Sequence, residues 1–301
     1  MPYVVPYVTP RVGRVHKSSL YLPDRLKAAL TARAGEAGRS EADVIRSALE
    51  AALAGPHPAD APLAERPVPG RLVGVGVGPG EADLLTVRAV TALRRADRCL
   101  APSTAVDAVG RAEAIVREAV PGLAVDRVPF EMAPSRAARD RSVENAAALV
   151  TAHLEAGEEV AWITLGDPLV YSTFSSVAAA VTKRRPATVV TQVPGIMAFQ
   201  ALAARTGTVV ADERTRLTIR TALDGEDLGA DLADAGSTLI VYKGGRRLPE
   251  LAAVAGRSGR DRRAVVGELL GMPGERIGGL GEMAARGPAS YLATVIVPAG
   301  R

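Results

Sequence analysis

Four glycines at alternate positions, Gly74, Gly76, Gly78 and Gly80, follow an apolar start at Leu72 and Val73 and lead into helically spaced Leu84, Leu85, Ala89 and Leu93. Strand, glycine loop and helix in that order bring backbone close to a ligand, because glycine has no side chain in the way and reaches positive φ. The common ligands of such loops do not match this one. A dinucleotide fingerprint needs G-x-G-x-x-G, and counting from Gly74 puts Pro79 in the last place, while counting from Gly76 puts Glu81 there. A P-loop needs Gly-Lys followed by Ser or Thr, which occurs nowhere in the chain. A tight strand-to-helix turn with no ligand is the other reading of these residues.

A second loop bears on that choice. Asp167 lies between Gly166 and Pro168, directly after Val160, Ala161, Trp162, Ile163 and Thr164, an apolar run with the weak alternation of a buried parallel strand. A carboxylate at the carboxyl end of such a strand sits where open α/β sheets take ligands; it also suits an Asx turn that caps its own backbone. Pro194 and Gly195 make a turn before a helix that begins near Met197. His16, His57 and His153 are scattered outside these loops and Cys99 is alone, so no metal-ligand spacing and no Ser-His-Asp pattern appears. No metal and no catalytic base is therefore assigned; Asp83 and Asp167 are simply the carboxylates of the two loops.

The elements that must position these loops need a large core. The chain has 301 residues, 48% of them hydrophobic, and the region from 71 onward is long enough to build one. Aromatic residues make up 3%, too few rings for stacking single-stranded nucleic acid. Residues 1–15 have no charged, apolar and cleavage regions of a leader, no apolar run nears the length that spans a bilayer, and the single cysteine forms no intrachain disulfide. A cytoplasmic protein with no membrane partner is expected. Residues 55–70, rich in Pro and Ala without an apolar period, read as a semi-rigid linker.

Gly76-Val-Gly-Pro-Gly80 with Leu84-Leu-Thr86, then Gly166-Asp-Pro168, then Val193-Pro-Gly-Ile196, resemble in order and spacing the tetrapyrrole (corrin and porphyrin) methylase family. The segments 165–174 and 193–204 are most similar to its precorrin-2 C(20)-methylating members. The resemblance runs from about residue 71 to the C-terminus. It implies an α/β fold of two lobes, 71–187 and 188–301, with S-adenosylmethionine in the cleft between them and a tetrapyrrole as acceptor. It further implies cofactor contacts from Gly78, Pro79 and Gly80, from Leu165, Gly166, Asp167 and Val170, and from Met197 and Ala198. Tyr242 and Lys243 after the apolar run 238–241, Leu270 with Gly271, and Ala293 with Thr294 complete that set. Met197 departs from the family, which usually has Thr or Ser there. Methyl transfer from an already activated donor asks the protein for positioning more than for covalent help, in keeping with the missing base. A polycarboxylate acceptor wants arginines, and Arg136 and Arg139, with Arg141, Arg184 and Arg185 nearby, are candidates; a solvated basic face is the alternative. Another acceptor such as a peptide backbone is a second possibility for the same fold.

The N-terminal residues form a separate unit. Leu20 and Leu22 alternate with Lys17, Ser19 and Tyr21, which predicts a short strand over 16–22. Pro23 and Asp24 open a helix ending by Gly38, and Ser40 with Asp43 forms a capping-box-like start to a second helix. Strand, helix, helix in fewer than about 40 residues buries no core alone. The pattern over 16–54 resembles the ribbon-helix-helix repressors, which implies a homodimer with a strand ribbon in the major groove of double-stranded DNA. By register Lys17, Ser19 and Tyr21 would read bases, and Arg39 and Ser40 at the second helix start would hold a phosphate. Residues 1–55 hold eight Lys or Arg against five Asp or Glu, a net +3 out of the chain's +4. A module that only dimerises, or a regulator that uses the methylase-like region as a ligand sensor, are the alternatives.

Overall fold

The computed structural model describes residues 23–54, 70–105, 107–131, 135–223 and 227–300, the side chains of 49–54 excepted. The expected N-terminal tail, the strand over 16–22 with Lys17, Ser19 and Tyr21, and almost all of the linker lie outside the described residues. The chain divides into two compact units on either side of residues 66 and 67.

In the first unit, α1 (Asp24–Ala37) stops at Gly38, whose left-handed backbone (φ 61°) lets the Arg39 N–H bond the Ala34 carbonyl at 3.1 Å. Helix α2 (Glu41–Ala54) starts as the sequence indicates, with the Asp43 N–H donating to Ser40 Oγ at 3.1 Å. The short Asp43 side chain meets the Ser40 hydroxyl at 2.6 Å rather than the backbone N–H that a longer glutamate reaches. Glu41 ties the two helices together by pairing with Lys27 and accepting from Thr31 Oγ1 at 2.6 Å.

The second unit contains two sheets. Strands β1 (Arg71–Gly76), β2 (Arg98–Ser103), β3 (Asp126–Pro129), β4 (Val160–Thr164) and β5 (Val189–Val193) are all parallel, in the order β3-β2-β4-β1-β5. Successive residues serve opposite faces, as the pleat requires. Val73, Val75, Ala161 and Ile163 pack under α3 (Val87–Arg95) and α4 (Arg111–Ala119), while Leu72, Val160 and Trp162 pack under α5 (Arg136–Glu155) and α6 (Phe174–Arg184). Because β5 pairs with β1, the first sheet runs through Val193, and the expected lobe boundary at 187/188 falls one strand before the chain leaves it.

Helix α7 (Ala198–Thr206) then carries the chain to a mixed sheet of β6 (Arg216–Thr221), β7 (Ser237–Tyr242), β8 (Val265–Glu268), β9 (Arg276–Gly279) and β10 (Thr294–Val297), in the order β6-β7-β10-β8-β9. Phe199 and Leu202 of α7 cover one face through Ile240 and Ile296; α8 (Gly229–Ala233), α9 (Leu248–Arg257) and α10 (Leu280–Ala285) cover the other through Leu239, Val241 and Val295. Behind this sheet the buried Arg260 guanidinium donates to the carbonyls of Asp231, Leu232, Asp234, Ser237, Val297 and Pro298.

One buried ion pair secures the far edge of the first sheet. Glu113, fully buried on α4, accepts from Arg127 Nε at 2.7 Å and Nη2 at 2.9 Å, from Arg117 at 2.7 Å, and from the Gly110 N–H at 3.3 Å. The Arg127 hydrogen bonds hold its carboxyl below the usual glutamate range. Stability from this group is complete above the ordinary carboxylate pKa of about 4.3 and is lost as pH falls through the lowered folded value. Glu113→Gln is expected to lower the thermal midpoint by on the order of 5 °C near neutral pH, with the gap to the unsubstituted chain closing as pH is taken down to about 3. Melting curves across that range decide it, and a gap that persists in acid would mean the loss is not ionic.

Candidate functional site

The order β4-β1-β5 places three carboxyl-end loops side by side: 76–80 after β1, 165–171 after β4 and 194–197 after β5. Their backbones touch. The Gly166 N–H donates to the Gly78 carbonyl at 2.8 Å, and the Val77 N–H to the Thr164 carbonyl at 2.9 Å. A Cβ on Gly195 would stand 2.0 Å from the Gly166 carbonyl oxygen and 2.9 Å from Gly76, so only glycine permits this approach. Asp167 holds the assembly with both oxygens: Oδ1 accepts the Leu169 N–H at 2.8 Å and Oδ2 the Gly195 N–H at 3.1 Å. The Asx turn read from the sequence is present, and the second oxygen ties the β4 loop to the β5 loop as well.

The second lobe closes against these loops. A Cβ on Gly80 would lie 1.9 Å from the Leu270 carbonyl oxygen, which puts the β1 loop directly on the turn after β8. Tyr171 crosses from the β4 loop to donate its hydroxyl to the Ile219 carbonyl of β6 at 2.9 Å, and its ring meets that of Tyr242 edge-on at 6.3 Å. Tyr242 sits at the end of β7; its hydroxyl accepts the Phe199 N–H at 3.4 Å, and burial pushes its phenol up to about 12, so it stays neutral. Lys243 follows, its Nζ 5.8 Å from the centre of the Tyr291 ring. Ala293 and Thr294 are buried beneath, Thr294 pairing in register with both Tyr242 and Gly267.

Tyr171 (φ 50°), Lys243 (φ 60°) and Leu269 (φ 53°) are the non-glycine residues with positive φ among the described residues, and each lies in one of these loops. Such conformations cost on the order of 1–3 kcal/mol each and collect where a site over-determines its backbone. Gly166 also has positive φ (65°), and a Cβ there would meet only Met197 Cα, at 4.0 Å, so the ground above it is open. Leu169 and Tyr171 expose 62% and 48% of their surface beside it, a large apolar share for one loop.

The structure thus brings together the loops that carry Gly78, Pro79, Gly80, Leu165, Gly166, Asp167, Val170, Met197 and Ala198 with the strand ends and turn that carry Tyr242, Lys243 and Leu270, while Ala293 and Thr294 are buried. Arg136 and Arg139 are not among them. They sit at the start of α5, the helix that follows the edge strand β3 in sequence. Arg136 is exposed, with Asp140 at 3.9 Å; Arg184 pairs with Glu144 at 2.7 Å. His153 lies at the opposite end of the sheet, bonded to Glu158 at 2.5 Å. No group of three His, Cys, Asp or Glu suited to a metal occurs among the described residues. In the first unit Arg39 folds back to Ser47 Oγ (2.7 Å) and Ser40 is engaged in its cap. Tyr171, Glu81 and Arg205 join these loops without having been marked by the sequence: Tyr171 lies inside the 165–174 segment, but its partner is 48 residues away.

Residues 71–284 match the model of the family described as Tetrapyrrole (Corrin/Porphyrin) Methylases. The chain is 33% identical over 239 residues to a precorrin-2 C(20)-methyltransferase of Sinorhizobium sp, covering 76% of this chain and 95% of that one. It is 29% identical over 230 residues to the cobalt-precorrin-2 C(20)-methyltransferase of Salmonella typhimurium, covering 76% and 96%. A stretch of 42 residues, 14% of this chain, is 50% identical to 59% of antitoxin VapB26 of Mycobacterium tuberculosis. Among solved structures, a cobalt precorrin-4 methyltransferase superposes with a TM-score of 0.60 at 19% identity, over 78% of this chain and 98% of that one. A uroporphyrin-III C-methyltransferase from Thermus thermophilus in complex with S-adenosylhomocysteine gives 0.53 at 24%, over 75% and 97%.

The backbone contacts yield a direct test. Gly80→Ala is expected to push the β1 loop off the Leu270 turn and to weaken S-adenosylhomocysteine binding by at least about tenfold in calorimetry. Gly281→Ala, where a Cβ meets nothing within 4 Å, serves as the control and leaves binding unchanged. Equal affinity in the two variants would remove the β1 loop from the site.

Proposed function

Because the chain belongs to the tetrapyrrole (corrin/porphyrin) methylase family and is an S-adenosylmethionine-dependent methyltransferase, we propose that it methylates a corrin precursor, precorrin-2 or its cobalt form, at carbon 20. The observation that carries this is the glycine cradle at the carboxyl edge of β4, β1 and β5. Gly76, Gly166 and Gly195 leave backbone rather than side chains facing the cleft, and the space above Gly166 is free. Leu165, Met197 and Tyr242 supply apolar walls. These residues suit a donor held through its polar ends and its flat adenine. S-adenosylmethionine supplies, when bound, a methyl group activated on a sulfonium. The chain's own part is positional: Asp167 fixes the β4 and β5 loops against each other, Tyr171 fixes the β4 loop on the second lobe, and the buried floor keeps water away from the reacting atoms. Arg136 and Arg139, exposed at the start of α5 after the edge strand β3, are the proposed contacts for acceptor carboxylates.

The precorrin-2 assignment rests on relatives that span nearly their full length. Anaerobic incubation with S-adenosylmethionine and precorrin-2 or cobalt-factor II is expected to add one methyl group, about 14 Da, to the tetrapyrrole by mass spectrometry. Cofactor binding without that gain points instead to another acceptor or to a ligand sensor.

For the first unit we propose a ribbon-helix-helix module that dimerises and binds double-stranded DNA, and we assign to it the antitoxin-like stretch. Of the described side chains in this unit only Ala34 is buried, while Leu26 is 49% exposed, so the two helices lack a core that a second copy would complete. Gel shifts on the upstream region of the chain's own gene are expected to weaken steeply with salt. A dimer that shifts no DNA in low salt would leave the module dimerisation alone.

A further inference from the structure

We propose that Arg205 is a positioning residue that clamps the β1 loop of the first lobe onto the β8 turn of the second, and so sets the affinity of the cleft for its cofactor. The inference rests on the cofactor reading above and adds the side chain that holds the cleft shut. Arg205 lies near the end of α7, the helix that passes from one sheet to the other. Its Nη2 bonds Glu81 Oε2 at 2.6 Å, its Nε faces Glu275 Oε1 at 3.5 Å, and its Nη1 donates to the Ala201 carbonyl at 3.4 Å. Glu81 directly follows Gly80. Glu275 uses its other oxygen to accept the Gly271 N–H. One guanidinium therefore spans a carboxylate on each lobe, and each carboxylate belongs to or is bonded to a loop of the cradle.

Met272 of the β8 turn packs against the apolar core of the first lobe, and the Arg205 pairing adds a polar tie beside it. Gly80 and Gly271 meet through bare backbone: a Cβ on Gly80 would lie 1.9 Å from the Leu270 oxygen, and one on Gly271 would lie 2.8 Å from the Glu81 nitrogen. Contact that close loses much of its attraction with a small gap, so a polar tie beside it helps to keep it in register. The planar fork of arginine reaches two carboxylates at once, which the single ammonium of lysine does not. With 22% of its side chain exposed, Arg205 is shielded well enough for the pairing to matter, while Glu81 at 43% remains open to salt. Arg205 touches neither donor nor acceptor in this scheme; it acts through the loops.

The test is a double-mutant cycle on the full chain, with S-adenosylhomocysteine affinity from calorimetry and steady-state kinetics as readouts. Arg205→Gln and Glu81→Gln are each expected to weaken binding about fivefold, and the double variant no further than either alone. KM for S-adenosylmethionine should rise with kcat kept, and added salt should bring the unsubstituted chain toward the variants. Arg205→Lys should recover only part of the affinity, at an unfolding midpoint equal to that of Arg205→Gln, which separates positioning from a general loss of stability. Affinity untouched by Arg205→Gln, or losses that simply add, would overturn the clamp alone. Failure of the unsubstituted chain to bind S-adenosylhomocysteine would overturn the cofactor site and the clamp with it.

Discussion

Everything at the cleft depends on three loops of the first sheet touching through backbone with no side chain between them. Gly195 stands where any Cβ would strike the Gly166 oxygen, and Gly76 lies against both. The parallel sheet makes this contact available, because β4, β1 and β5 end at the same edge and are neighbours in space though far apart in sequence. Side chains appear only as ties around the contact. Asp167 joins two of the loops, Tyr171 reaches the second lobe, and Arg205 joins the third loop to the turn beyond it. A pocket made in this way presents mostly peptide groups to its ligand, and so identifies the ligand by shape and hydrogen bonding more than by charge.

That construction explains which parts of the molecule could be read from the sequence. The glycine loops, the apolar runs of β4 and β7, the turn before α7 and both N-terminal helices carry local signals, namely spacing, capping residues and residues that permit unusual backbone. Asp167 could be read either as a turn residue or as a site residue, and its two oxygens in fact serve a turn and a cross-loop tie. Arg205 and Glu81 were not legible, because an ion pair spanning 124 residues leaves no trace in either neighbourhood. Which sheet β5 joins was not legible for a related reason: its alternation is the same in either sheet, and only pairing with β1 decides. Leu269 and Lys243 gave no warning of their left-handed backbone, since nothing in a leucine or a lysine suggests it.

The two units solve the problem of size differently. From residue 70 onward the chain covers both faces of each sheet with helices and has buried clusters on every side. The N-terminal helices make a hairpin held by Glu41 and a helix cap, with polar bonds on the outside and Ala34 alone buried among the described side chains. Nor does any described helix have the length and hydropathy to cross a membrane.

The last strand has a bearing on how the protein comes into being. Strand β10 (Thr294–Val297) comes last in sequence among the strands of the second sheet, yet it lies in the middle of that sheet, between β7 and β8. Arg260 likewise draws two of its six carbonyls from Val297 and Pro298. During synthesis every strand of the first sheet is therefore made by residue 193, whereas the second sheet waits with its centre missing until residues 294–297 have left the exit tunnel. The methyl-transfer cleft, which draws on loops of both sheets, is then completed only after that late step.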